Sequence, residues 1–192
     1  MTEIPLVPIP SIETERLRLL PLDLADAPPI QRLFPHLNVV RYMHTSIPWP
    51  SPDDGAEEFV RSMLPKIEAA EEYYWAIRIK AREGKGLVGV ISLSPHSDTD
   101  NRGFWLGEEF WGQGYMREAV AAVNDFAFDV LGMTELLLNN AQPNVASHRL
   151  KESCGAEILG IEDREYIGGT FPGVRWKLSA EAWRRCREQS GA

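Results

Sequence analysis

Apolar side chains recur with two different periods along the chain, so both strands and helices are expected. Ile12 to Leu20 alternates, with Leu17 and Leu19 on one side and Arg16 and Arg18 on the other, which predicts a first strand. Asp23 to Leu33 reads as helical, with Pro28 and Pro29 confined to an early turn. Asn38 to Pro50 is irregular, and Pro48-Trp49-Pro50 forces extended backbone. Ser51-Pro52-Asp53-Asp54 predicts a helix start, with a cap, a proline and then first-turn acids. Phe59, Met63, Leu64 and Ile67 supply that helix with an apolar stripe. Tyr73 to Lys80 and Leu87 to Leu93 predict a hairpin around the turn Arg82 to Gly86. Phe104-Trp105-Leu106 adds a short third strand to that meander.

The strongest helix is predicted from about Tyr115 to Leu131. Met116, Ala119, Val120, Val123, Ala127 and Val130 fall on one face, and Gly132 stops it. Glu135 to Asn139 predicts a central strand, and Asn144 caps a short helix that ends at Cys154-Gly155. Ile158 to Ile167 and Val174 to Leu178 form a last strand pair, and Ser179 caps a polar C-terminal helix. The order β-α-α-β-β-β-α-β-α-β-β defines an α+β (mixed α/β) class. Residues 1–10 carry three prolines and no periodicity, so an extended lead-in is expected before a single domain over 11–192.

Composition narrows the function classes. With 44% apolar and 25% charged residues the chain is an average globular one, which excludes a disordered or collagen-like polymer. No run of 18 apolar residues exists, so no membrane-spanning helix is expected. The amino end lacks a basic region followed by an apolar one, so a cytoplasmic protein is expected. A net charge of −8 argues against nucleic acid as the main partner and suits a cationic one, such as an amine. Cys154 and Cys186 match no metal-ligand spacing, and His36, His44, His96 and His148 are scattered, so no metal is expected. Cys154 ends an apolar helical pattern and reads as a buried, inert thiol.

The chemistry is concentrated between Phe104 and Met116. A strand runs into Gly107-Glu108-Glu109-Phe110-Trp111-Gly112-Gln113-Gly114 and then opens the long helix. Glycines allow close backbone approach, successive N–H groups point outward, and the helix dipole favours an anion there. The spacing fits neither a P-loop nor a dinucleotide fingerprint, since Arg117 stands where the third glycine would fall. By itself the pattern leaves a tight turn and an anion site equally open.

The motif combination resembles the GNAT superfamily of acyltransferases, and within it the Rim-type branch that acetylates ribosomal-protein N-termini. Thr14-Glu15-Arg16-Leu17-Arg18-Leu19, Trp75-Ala76-Ile77 and Leu87-Val88-Gly89-Val90-Ile91 carry the resemblance at the amino end. Phe110 to Ala119 carries it at the loop, and Asn144-Val145-Ala146-Ser147 with Lys151-Glu152 and Gly155-Ala156 carries it late in the chain. The resemblance covers about 12–178. It implies a mixed, mostly antiparallel sheet flanked by helices, with a splayed strand pair admitting acetyl-CoA. It also implies that Gly112, Gln113, Gly114, Tyr115 and Met116 hold the diphosphate, and that Trp105 and Leu106 pair with the pantetheine arm. Asn144 and Ser147 would sit near the thioester.

The chemistry so implied is attack of an amine on a thioester, with Ser147 assisting the leaving sulfur. Glu165 is the favoured base, ahead of Glu162, Glu108 and Glu109. Two departures stand out: the branch often carries an acid where Asn101-Arg102-Gly103 stands, and an Asp where Gly173 falls. The expected acceptor is a protein or peptide N-terminus. The alternatives are a small amine (polyamine, antibiotic or amino-acid derivative) or a non-catalytic CoA-binding module. A monomer or homodimer is expected.

Overall fold

The alternation at the amino end becomes a short strand pair. In the computed structural model, which describes residues 4–82 and 84–190, β1 (Ile12–Glu13) turns into β2 (Leu17–Pro21). Leu17 and Leu19 are fully buried, as the alternation requires. A 3-10 turn over Leu24–Asp26 follows, held by a reciprocal capping box between Asp23 and Asp26, and leads into α1 (Ala27–Leu33). The stretch read as irregular contains one further turn of helix, α2 (Leu37–Val40), which buries Val39 and Val40.

The next helix corrects the sequence reading. Helical backbone was expected from Ser51, yet α3 spans Gly55–Glu68 and its N-cap, Asp54, makes no side-chain cap bond. The reason is tertiary. Gln31 of α1 donates to the Pro52 carbonyl at 2.9 Å and accepts from the Ala56 N–H at 2.9 Å. A side chain from another helix thus satisfies the orphan donor that a local cap was expected to take.

β3 (Tyr73–Ile79), β4 (Gly89–Leu93) and β5 (Phe104–Leu106) complete a five-stranded antiparallel sheet in the order β1-β2-β3-β4-β5. β4 starts two residues later than expected, and part of the turn read at Arg82 to Gly86, Glu83, lies outside the described residues. Tyr73 and Trp75 are fully buried and pack against Phe126. The Tyr73 hydroxyl donates to the Val7 carbonyl at 2.9 Å and the Trp75 indole to the Pro10 carbonyl at 2.7 Å. The extended lead-in is thereby fastened to the core.

α4 (Tyr115–Asp125) runs into a π-helical turn over Phe126–Val130, capped by Leu131 and followed by Gly132, whose φ is 66°. β6 (Glu135–Ala141), α5 (Val145–Ser153), β7 (Glu157–Tyr166), β8 (Gly169–Ser179) and α6 (Ala180–Ser190) follow. β8 begins five residues before the predicted Val174, because Pro172 and Gly173 fit within its pairing to β7. Here β6, β8 and β7 form a second sheet, in that order.

The segment before β5 is bracketed to β6 at Asn101. The Asn101 N–H donates to the Leu137 carbonyl at 2.7 Å, and the Leu137 N–H donates back to the Asn101 side-chain oxygen at 2.7 Å. Past that bracket β5 and β6 pair with other strands and not with each other, which leaves facing backbone edges. The splayed strand pair implied by the resemblance is present.

Gly89 sets how closely β5 lies against β4. A Cβ there would sit 2.2 Å from the Trp105 carbonyl oxygen and 2.7 Å from Leu106 Cδ2. Gly89→Ala must push β5 away, so a loss of about 1–3 kcal/mol in stability is expected, together with weaker acetyl-CoA binding. Thermal melting and calorimetric titration check both.

Candidate active site

The gap between β5 and β6 opens into a cleft of ≈1960 Å³ that extends from the start of α4 to the segment after α1 and to β7.

Gly112 and Gly114 have φ of 71° and 78°, the left-handed region where glycine carries no steric cost. A Cβ on Gly112 would meet nothing within 4 Å, so the loop surface is open there. Gly114 is the N-cap of α4 and makes no side-chain cap bond. The N–H groups of Tyr115, Met116 and Arg117 stand in the first turn, where no intrahelical acceptor exists. They form an amide nest at the positive end of the helix dipole, which fits the diphosphate of a coenzyme.

Arg16 braces this loop. It pairs with Glu118 at 2.6 Å, donates to the Gln113 carbonyl at 2.9 Å and lies over the Tyr115 ring at 4.9 Å. Thr14 donates to the same Glu118 at 2.5 Å. Thr14 and Arg16 of that signature therefore act by fixing the loop to the first strand pair. The Trp111 indole donates to the Leu106 carbonyl at 2.9 Å and fixes the far side.

Deeper in the cleft, the Asn144 side chain accepts from the Ser147 N–H at 3.2 Å and caps α5, as its sequence grammar predicts. Ser147 is buried, and its Oγ accepts from Lys151 Nζ at 2.8 Å. Lys151 is only 2% exposed. Burial pulls its pKa down to about 7, helped by the nearby Arg102 and opposed by Asp100. Asp100 moves the other way. Burial of its carboxyl raises the pKa to about 6, against the charges of Lys151 and Arg102 and the main-chain N–H groups of Arg102 and Asn139. Its Oδ1 has no hydrogen-bond partner among the described residues. Arg102 is buried and donates to Asn124 of α4. Burial pushes the Cys154 thiol up, so it is not poised as a thiolate nucleophile.

Trp105, Leu106, Gly112, Gly114, Tyr115, Met116, Asn144 and Ser147 all line the cleft, whereas Gln113 turns its carbonyl to Arg16. Glu165 is not brought to it. On β7 the neighbours Arg164 and Tyr166 line the cleft, and strand alternation sends Glu165 to the opposite, exposed face, where Thr170 donates to it at 2.5 Å. Glu162 and Glu109 also lie outside, while Glu108 lines the cleft and accepts from Asn38 at 3.0 Å. The two departures have structural uses. Asn101 brackets the sheets, and a Cβ at Gly173 would lie 2.7 Å from the Tyr166 hydroxyl. Asp100, Arg102 and Lys151 are the residues that sequence reading missed. The available signal was the i, i+4 spacing of Ser147 and Lys151 on one helix face. Among the described residues no group of His, Cys, Asp and Glu could hold a metal ion, and no helix is long and apolar enough to cross a membrane.

A splayed sheet with a glycine-loop amide nest at its mouth defines an acyl-coenzyme A binding architecture. The family model described as Acetyltransferase (GNAT) domain matches residues 16–157, and the chain belongs to that family. It is 28% identical over 125 residues to the FsC-acetyl coenzyme A-N(2)-transacetylase of Aspergillus fumigatus, covering 54% of this chain and 50% of that protein. The chain thus spans half the length of that relative. A crystal structure of an acetyltransferase from T. thermophilus is 25% identical, with a TM-score of 0.73 over 93% of this chain and 94% of the other. RimL, a ribosomal L7/L12 alpha-N-protein acetyltransferase solved with coenzyme A, shares the fold at 18% identity, with a TM-score of 0.72 over 91% and 98% of the two chains.

Gly114→Asp tests the nest. Aspartate tolerates the left-handed backbone better than most residues and would lie near Arg16, so the loop is expected to persist. Its charge would face the diphosphate. Acetyl-CoA affinity should then fall by about 10²-fold, from like-charge repulsion at a few ångströms. Calorimetry showing unchanged affinity would move the diphosphate elsewhere.

Proposed function

We propose that this protein transfers the acetyl group of acetyl-CoA to a primary amine, and that the amine is the N-terminus of a protein or peptide of ribosomal-protein type. The observation that carries the reading is the continuous cleft, which joins the amide nest of α4 to the Ser147 and Asp100 side chains. Beyond them the cleft continues between the segment around Arg41 to Ile47 and Arg164 and Tyr166 of β7, and that end is where the acceptor enters. A ribosomal-protein N-acetyltransferase and a spermidine N-acetyltransferase share the fold equally, so the fold admits this acceptor class without selecting it.

Bound acetyl-CoA supplies an acyl group activated as a thioester. Gly112 to Met116 hold its diphosphate by main-chain N–H groups, and the edge of β5 that faces the cleft at Trp105 and Leu106 aligns the pantetheine arm, with the Leu106 carbonyl already taken by Trp111. Asp100, which titrates near 6, accepts the proton that the attacking amine must lose. Ser147 donates its hydroxyl proton to the departing sulfur. A cysteine relay is not used, since the Cys154 thiol is buried and held protonated.

The test is an acetylation screen of N-terminal peptides and small amines, read by release of free coenzyme thiol. Turnover with peptides is the expected result. Turnover confined to small amines would overturn the acceptor assignment. Tight acetyl-CoA binding without turnover on either set would leave a non-catalytic coenzyme-binding module.

A further inference from the structure

Lys151 is a fully buried cation in the middle of the cleft wall. Lysine is almost never buried without a partner, because its charge loses hydration. This one is 2% exposed in the middle of α5 and has Phe104 at 5.6 Å from Nζ. Its one hydrogen bond among those described goes to the Ser147 hydroxyl oxygen, at 2.8 Å. That bond occupies an acceptor site on Oγ and leaves the hydroxyl proton to be donated elsewhere. Both residues line the cleft. The charged and titratable groups facing Lys151 are Arg102 and Asp100, from the segment before β5, and Cys154, at the end of its own helix.

We propose that Lys151 is the proton source behind Ser147: as the thioester bond breaks, Ser147 passes its proton to the sulfur and takes one from Lys151. The inference rests on the acetyl-transfer reading above. The proton count closes. The amine nitrogen forms a bond to the acyl carbon, and the carbon–sulfur bond breaks with its electron pair on sulfur. Sulfur gains the Ser147 proton and Ser147 regains one from Lys151 Nζ. Asp100 gains the amine's proton, which returns to the neutral Lys151. The net change is amine and thioester to amide and thiol. The environment suits the role, since an ammonium whose pKa is lowered to about 7 gives up a proton to a thiolate far more readily than an exposed lysine does. Lys151 is a positioning and relay residue, because Ser147 stands between it and the reacting atoms.

The experiment compares the full-length protein with Lys151→Met, Ser147→Ala and the double variant. Methionine keeps the unbranched shape and removes a buried charge, so the fold is expected to hold, with thermal melting as the check. Lys151→Met should lower kcat by about 10-fold or more while leaving the KM for acetyl-CoA unchanged. It should also abolish the alkaline fall in rate that follows deprotonation of Lys151. The double variant should be no slower than Ser147→Ala alone, because both remove one path. A second readout needs no turnover. In a lysine NMR titration Lys151 should titrate near 7, its midpoint should move when coenzyme A binds, and that movement should vanish in Ser147→Ala. Should Lys151→Met fail to fold, the titration of the unaltered protein and of Ser147→Ala decides alone. A Lys151 midpoint in the ordinary lysine range, or kcat and pH profile unchanged in Lys151→Met, would overturn the relay and leave acetyl transfer standing. A parent protein that releases no thiol with any amine would overturn the acetyl-transfer reading and the relay with it.

Discussion

Asp100→Asn is expected to lower kcat/KM by about 10²–10⁴-fold, the usual cost of removing a general base. The substitution keeps the side chain's shape and its ability to accept from the main-chain N–H groups of Arg102 and Asn139. It removes only the ability to take a proton. In the parent protein the base must be ionised, so the rate should rise as pH climbs through about 6. That acid limb should be absent in the variant. The alkaline limb should move as well. Asp100 favours the charged form of Lys151, so without it the lysine loses its proton at lower pH. Folding is not expected to depend on this carboxylate being charged. Its pKa is raised in the fold from an ordinary 3.8 to about 6, so its protonated form favours the fold and that advantage fades as pH rises between those values. An Asp100→Asn protein that melts normally and keeps both its rate and its acid limb would shift the base to Glu108 or a water chain.

The part of the site made of main chain was legible in the sequence, and the part made of long-range packing was not. Glycine at 112 and 114 before a strong helix encodes an amide nest locally, because left-handed backbone and an uncapped first turn are properties of adjacent residues. Asn144 as a cap is equally local. The order of residues points to Glu165, but strand parity decides which face it takes, and the pairing of β7 with β8 fixes that parity. Asp100 and Lys151 acquire their chemistry from burial. They are 51 positions apart in numbering, and although the i, i+4 spacing puts Lys151 on the face of Ser147, nothing local brings the Asp100 carboxyl to it. The start of α3 shows the same limit, since the group that satisfies its first turn is Gln31, from a different helix.

Ser147→Ala should lower kcat by about 10²-fold or more while changing acetyl-CoA affinity little, because the hydroxyl is needed as the sulfur departs and not when the coenzyme docks. Two roles of this residue can be separated. Its main-chain N–H donates to Asn144 and caps α5, and alanine retains that bond. Its hydroxyl oxygen accepts from Lys151, and alanine loses that contact. An unpartnered buried amino group costs about 1–3 kcal/mol when neutral and more when charged, and Lys151 can avoid part of that by deprotonating. A small fall in melting temperature that lessens as pH rises is therefore expected. Asn144→Ala gives the complementary control. It removes the cap, costs about 1 kcal/mol of helix stability, and leaves the Ser147 hydroxyl beside Lys151. If catalysis depends on the hydroxyl, Ser147→Ala loses far more rate than stability and Asn144→Ala far less rate for a comparable melting shift. Equal rate losses in the two variants, or full kcat in Ser147→Ala, would reduce Ser147 to a packing partner of Lys151 in the first turn of α5.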